Sequence, residues 1–217
     1  METLYENGDG VAVVTLTTLQ EIEEIVSLFE TIGKAEGWQP GDQLRAWLQG
    51  TVYFAVQVEG KLAGGIQFVP VSAGGTLPCH AVWPELAGVS KPDAAHIVIV
   101  ALSPEYRGRA AGLFWLPAVE IWRYCSRKRI SEMWLEVTPP MLKFYERIGW
   151  ALEVADPLRM HWGELCYPCR ISLNAVTRSI LRRAVKSECY RKLVDQACRE
   201  DQRPGERKEA PQLVATG

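Results

Sequence analysis

An α/β domain is the fold class this sequence predicts, and three observations predict it. Apolar, β-branched runs such as Ile97–Leu102 alternate along the chain with stretches of helical period. One junction between them, Ser103-Pro104 and then Tyr106-Arg107-Gly108-Arg109-Ala110-Ala111-Gly112, has the small residues with which a strand hands over to a helix. A second strand–helix unit follows, Met133–Val137 and then Thr138-Pro139-Pro140. With 217 residues, 47% of them hydrophobic and 23% charged, the chain can bury a full core without disulfides.

Each element has a local reason. Val11–Leu16 reads as a first strand, and residues 19–35 as an amphipathic helix with Ile22, Ile25, Val26, Phe29 and Ile32 at helical spacing. Gly37-Trp38-Gln39-Pro40-Gly41-Asp42 breaks that pattern, and residues 43–49 add a short helix. Tyr53–Val58 and Leu62–Pro70 are strands joined by a tight turn at Glu59-Gly60-Lys61. Residues 71–94, rich in Gly, Pro and Ala, are long for a connection and are expected to cover a site. A strand ending at Leu102, a helix over 110–127 containing Pro117, the strand 133–137 and a helix closed by Gly149 come next. Two extended pieces, near 152–154 and over 163–173, complete the sheet. Residues 1–173 thus form the main domain, 174–200 a basic C-terminal helix, and 201–217 a polar tail of disordered composition.

The strand-to-helix junction is where backbone N–H groups and the partial positive charge of a helix end meet an anion, so it points to a phosphorylated cofactor. The run Pro104-Glu105-Tyr106-Arg107-Gly108-Arg109-Ala110-Ala111-Gly112 resembles the acyl-donor loop of the GCN5-related N-acetyltransferase (GNAT) superfamily, with Ala110 at a position that is glycine in that pattern. The second unit resembles the same superfamily's Asn-x-x-Ala-x-x-Phe-Tyr-x-x-x-Gly-Phe signature. Phe144, Tyr145, Gly149 and Trp150 match it, while Thr138 and Met141 replace its Asn and Ala. The resemblance implies a mixed, mainly antiparallel central sheet flanked by helices, here with an extra C-terminal helix, and the order β-α-α-β-β-β-α-β-α-β agrees with it. It also implies that Val100, Ala101 and Leu102 pair with pantetheine like an added strand. Arg107, Gly108, Arg109, Ala110, Ala111 and Gly112 would cradle the pyrophosphate, Thr138 would lie at the cofactor, and Tyr145 would protonate the departing thiolate.

A narrower resemblance links Gly64-Gly65-Ile66-Gln67-Phe68-Val69-Pro70, Leu77-Pro78, Val82-Trp83-Pro84-Glu85-Leu86 and His161-Trp162-Gly163-Glu164 to acyl-homoserine-lactone synthases and long-chain N-acyl amino acid synthases. The strand before the Arg-Gly loop lacks the acidic residue and arginine of the lactone synthases, and no arginine lies near Gln67. S-adenosylmethionine is therefore not expected as acceptor.

The implied activity is N-acylation of a small-molecule amine by direct attack on an acyl thioester, either acyl-CoA (acetyl-CoA or longer) or an acyl carrier protein. Such chemistry needs a group that takes the ammonium proton. His96, Glu136 and Glu164 are candidates, and backbone N–H groups at a strand bulge would polarise the carbonyl. Trp38, Trp47, Trp83, Phe114, Trp115 and Trp122 would line an acyl pocket or fill the core. The alternatives are a non-catalytic acyl-CoA-binding or regulatory module and a long-chain N-acyl amino acid or autoinducer-type synthase. Arg178, Arg182, Arg183, Lys186, Arg191 and Lys192 would serve an acidic carrier protein, or form a solvated face.

A net charge of −2 gives no field for nucleic acid, and no segment is long enough to span a bilayer. The protein is expected to be cytoplasmic, with its six cysteines reduced. Cys166-Tyr167-Pro168-Cys169 lies in an alternating strand rather than at a helix start, and no second pair at finger-like spacing follows. Plain strand cysteines, and no metal, are expected.

Overall fold

The protein is seen here as a computed structural model, which describes residues 1–6, 10–46, 50–70, 76–107 and 110–201. Strands β1 (Glu2–Glu6) and β2 (Val11–Thr15) lead into helix α1 (Leu19–Glu36). Thr18 and Glu21 cap α1 reciprocally, Gly37 closes it in the left-handed conformation, and Ile22, Ile25, Val26, Phe29 and Ile32 are buried as their spacing predicts. β1 is an addition to the expected elements. ETLYE carries little β pattern of its own, and its antiparallel ladder with β2 at the sheet edge makes it a strand. Helix α2 (Gln43–Ala46) covers the first half of the expected 43–49, and residues 47–49, Trp47 among them, lie outside the described residues.

Strands β3 (Val52–Val58) and β4 (Lys61–Pro70) form the expected hairpin. Glu59 (φ 51°) and Gly60 (φ 75°) both adopt positive φ, the geometry that matches a two-residue turn to strand twist. After residues 71–75, outside the described part, two 3-10 turns at Pro78–Ala81 and Pro84–Gly88 fold into a small cap. Its Leu77, Cys79, Trp83 and Leu86 pack with Ala94, Trp134 and Cys166. The long connection therefore covers the start of the next strand.

Strand β5 (Ala94–Leu102), helices α3 (Pro104–Arg107) and α4 (Ala110–Lys128), strand β6 (Glu132–Val137) and helix α5 (Pro139–Ile148) form the centre. Strands β7 (Glu153–Val154), β8 (Arg159–His161) and β9 (Glu164–Ser172) follow. The sheet order is β1-β2-β3-β4-β5-β6-β9-β7, with β8 paired to β9; among the described residues only β5 and β6 run parallel. This is the mixed, mainly antiparallel sheet flanked by helices that was expected. Side-chain alternation sends Tyr53 and Ala55 to the α1 face and Phe54 to the core shared with α4.

The span 174–200, expected as one helix, is two: α6 (Leu173–Lys186) and α7 (Glu188–Asp201). Ser187 is extended (φ −138°, ψ 122°), and its hydroxyl accepts from the Tyr190 N–H as a new N-cap. α6 is also more than a basic face, because Val176, Ile180 and Ala184 lie in the main core. Residues 202–217 are outside the described part. Among the described residues, no helix is long and apolar enough to cross a membrane.

Candidate active site

The parallel pair β5–β6 is in register from Ala94↔Glu132 to Ile97↔Leu135, and there the ladder stops. Next to that point β5 carries a bulge, since Gln67 of β4 faces Ile99 while Phe68 faces Ile97, leaving Val98 as the extra residue. Consecutive Val98 and Ile99 consequently join the same apolar cluster, under α1, which an unbulged strand does not allow. From Ile99 to Leu102, β5 is laddered to β4 alone. On its other side opens a cleft of about 650 Å³, walled by β5, the end of β6, α5, Trp38 and Trp162.

Glycines make the paired side close. A Cβ on Gly64 would lie 2.2 Å from the Ala101 carbonyl oxygen, and one on Gly65 would lie 2.4 Å from that of Phe54. Gly64 thus lets β4 lie close against β5, and Gly65 lets it lie close against β3.

The expected cofactor residues divide accordingly. Val100 and Leu102 line the cleft, whereas the Ala101 side chain is buried under α1. Arg107 also lines it, with its Nη1 donating to Glu36 at 2.6 Å and its Nε to the Leu102 carbonyl at 3.0 Å. Gly108 and Arg109 lie outside the described residues, while Ala110, Ala111 and Gly112 open α4, whose first N–H groups have no intrahelical acceptor. Thr138 is the N-cap residue of α5 and lines the cleft, although its side chain makes no capping bond.

Tyr145 lines the cleft from α5 and is nearly buried, stacked on Trp150 at 5.6 Å. Burial raises its hydroxyl above the usual phenol range, so it holds its proton at neutral pH. Glu136 lines the cleft from β6, and His96 sits behind it, 1% exposed, with Nε2 3.0 Å from Glu136 Oε1. The two candidates that lie forty positions apart in sequence are therefore one hydrogen-bonded pair. Burial pulls the His96 imidazole down, but Glu136 beside it, with help from Cys79, pushes it up to about 10. Burial also works against the Glu136 charge, yet the adjoining His96 keeps that carboxyl below its ordinary value. His96 is absent from the cleft wall, a placement that separates it from substrate.

His161, noted in sequence only within a short motif, lines the cleft beside Trp162, with ring centroids 4.8 Å apart. Burial lowers its imidazole, against the pull of Glu136, so it is neutral at pH 7. Glu164 lines the cleft too. The residue that sequence reasoning missed is His161, whose signal is weak because it lies on β8, a strand of only three residues. Of the six large aromatics, Trp38 and Trp115 reach the cleft. Trp83 is buried in the cap, Trp122 bonds Thr177, and the side chains of Trp47 and Phe114 are outside the described part.

Cys166 and Cys169 are free, and their three-residue spacing on β9 turns them to opposite faces, into the cap and the main core. Burial pushes both thiols up to about 12, so neither is a nucleophile at neutral pH.

Residues 19–150 match the model of the acetyltransferase (GNAT) family. The chain belongs to that family. It is accordingly an acyltransferase-type enzyme, and solved structures share the GNAT fold along most of its length. FeeM, an N-acyl amino acid synthase from uncultured soil microbes, superposes with a TM-score of 0.63 at 17% identity, over 78% of this chain and 94% of its own. The CoA-dependent acyl-homoserine lactone synthase BjaI, solved with SAM and isopentyl-CoA, gives 0.62 at 12% identity over 80% and 89%. An acyl-CoA N-acyltransferase from Pseudomonas aeruginosa gives 0.52 at 14% over 73% and 98%. No curated protein sequence matches the chain significantly.

Proposed function

We propose that this GNAT enzyme moves an acyl group from an acyl-CoA thioester to a small amine by direct attack. The observation that carries this reading is the one-sided β5: from Ile99 to Leu102 it has a ladder partner on one side and an open cleft on the other. An extended amide-bearing chain such as pantetheine fits there as an added strand. The N-terminus of α4 then receives the pyrophosphate, and the thioester reaches the bulge at Val98. Backbone N–H groups released by the bulge polarise its carbonyl. The wall is largely aliphatic and aromatic, which accommodates an apolar acyl chain, and the similarity to FeeM and BjaI favours a donor longer than acetyl.

The chain's own residues move the protons. Neutral His161 takes the proton of the acceptor ammonium, and the Glu136 carboxylate stabilises the imidazolium that results. His96 is a positioning residue that holds Glu136 ionised and oriented. As the amine attacks and the C–S bond breaks, Tyr145, protonated at neutral pH, gives its proton to the leaving thiolate. The second proton of the attacking nitrogen, shed as the amide forms, restores the tyrosine hydroxyl, while the His161 imidazolium releases its proton to solvent. The test is Tyr145→Phe. We expect kcat to fall on the order of 10²-fold with donor affinity unchanged; unchanged turnover would remove Tyr145 from this role.

A further inference from the structure

The cleft has a second cation, and it comes from the C-terminal helix. Arg178, Arg182 and Lys186 of α6 are exposed, but Arg183 is half-buried and lines the cleft. Its guanidinium carbon lies 3.7 Å from the ring centroid of Trp115, and 5.8 Å from that of Tyr190. Stacking of this kind fixes the plane of a guanidinium and leaves its edge N–H donors for an acceptor.

Two features say what the acceptor is. First, Arg107, the described arginine of the strand-to-helix loop, already has its charge compensated by Glu36, whereas no carboxylate among the described residues pairs with Arg183. Second, Trp115 is the sixth residue of α4, so the stack lies roughly 7.5 Å along the axis from the helix start, at 1.5 Å per residue. The guanidinium thus stands within about a turn and a half of the N–H groups that attract an anion, on the wall of the same cleft.

We propose that Arg183 binds a phosphate of the acyl donor, and so sets the preference for a phosphorylated pantetheine carrier over a bare thioester. This rests on the acyl-CoA reading above and adds a residue from outside the loop and helix that carry it. The shared chemistry is a phosphate ester next to pantetheine, which comes from coenzyme A or from the phosphopantetheine arm of a carrier protein.

The experiment measures affinities of wild type, Arg183→Gln and Arg183→Lys for coenzyme A, 3′-dephospho-coenzyme A, 4′-phosphopantetheine and pantetheine, by calorimetry and, for the weakest, ligand-observed NMR. Arg183→Gln should weaken coenzyme A about tenfold or more and leave pantetheine unchanged, with Arg183→Lys in between. A penalty lost on removing the 3′-phosphate assigns a group found only in coenzyme A. A penalty kept down to 4′-phosphopantetheine assigns one that a carrier protein also supplies. An equal loss for all four ligands, or none, would show Arg183 to be a packing residue and overturn the proposal. Wild type binding none of the four would instead defeat the donor reading and this proposal with it.

Discussion

At the scale of single residues, the site works through groups whose charge is set by burial and by one neighbour each. Glu136 stays ionised in a buried place because His96 lies 3.0 Å away and holds a proton. His161 stays neutral because burial disfavours its cation more than Glu136 favours it. A base works in its deprotonated form, so kcat/KM should rise with pH through a limb below His161's ordinary value of 6.5, and be flat above it. Glu136→Gln removes the carboxylate that pulls the imidazole up. The limb then moves to lower pH, and kcat falls on the order of 10²-fold. A pH–rate profile with the limb unmoved in that variant would detach Glu136 from His161.

At the scale of elements, β5 carries the account, and its position depends on Gly64. That residue has φ 151° and no room for a side chain against the Ala101 carbonyl. Gly64→Ala should force the β4–β5 ladder apart, destabilise the fold by about 3 kcal/mol in urea denaturation and weaken coenzyme A binding in parallel. A loss below about 1 kcal/mol would mean that the strands have slack at this point.

The same element shows how far sequence reading reaches. The strand and the Phe144-Tyr145 helix were legible because their signals are local: a β-branched run, Ser-Pro, a Gly149 stop. The family resemblance implied a bulge in this strand but not its place at Val98, because two consecutive apolar residues look alike whichever face they take. The break at Ser187 had a local sign, a serine able to cap, but it was masked by basic residues on both sides. The edge strand β1 had none, since its partner supplies its stability. His96–Glu136, His161 beside Glu136, and Arg183 over Trp115 are meetings of distant segments, which no spacing encodes.

At the scale of the whole molecule, the cleft opens where the parallel pair β5–β6 separates after Ile97, and the groups of the proposed mechanism, Glu136, Tyr145 and His161, line it. Glu36 at the end of α1, with Trp38 and Trp162, lines one part of the cleft, while Trp115 of α4, the α5 side chains and Arg183 of α6 line another, so α6 adds to the site rather than trailing from it. In the proposed mechanism the open strand edge inside the apolar cleft holds the donor, and Glu136, His161 and Tyr145 beside it move the protons.

The most direct test is amine-dependent release of free thiol by the wild-type enzyme, with acyl-CoA donors from acetyl to long-chain, each offered pooled amino acids and amines. The account predicts thiol release that requires both an acyl-CoA and an amine, strongest with donors longer than acetyl. Coenzyme A binding without amine-dependent thiol release from any donor would contradict it, and would make the chain a binder of the cofactor with no transfer to perform.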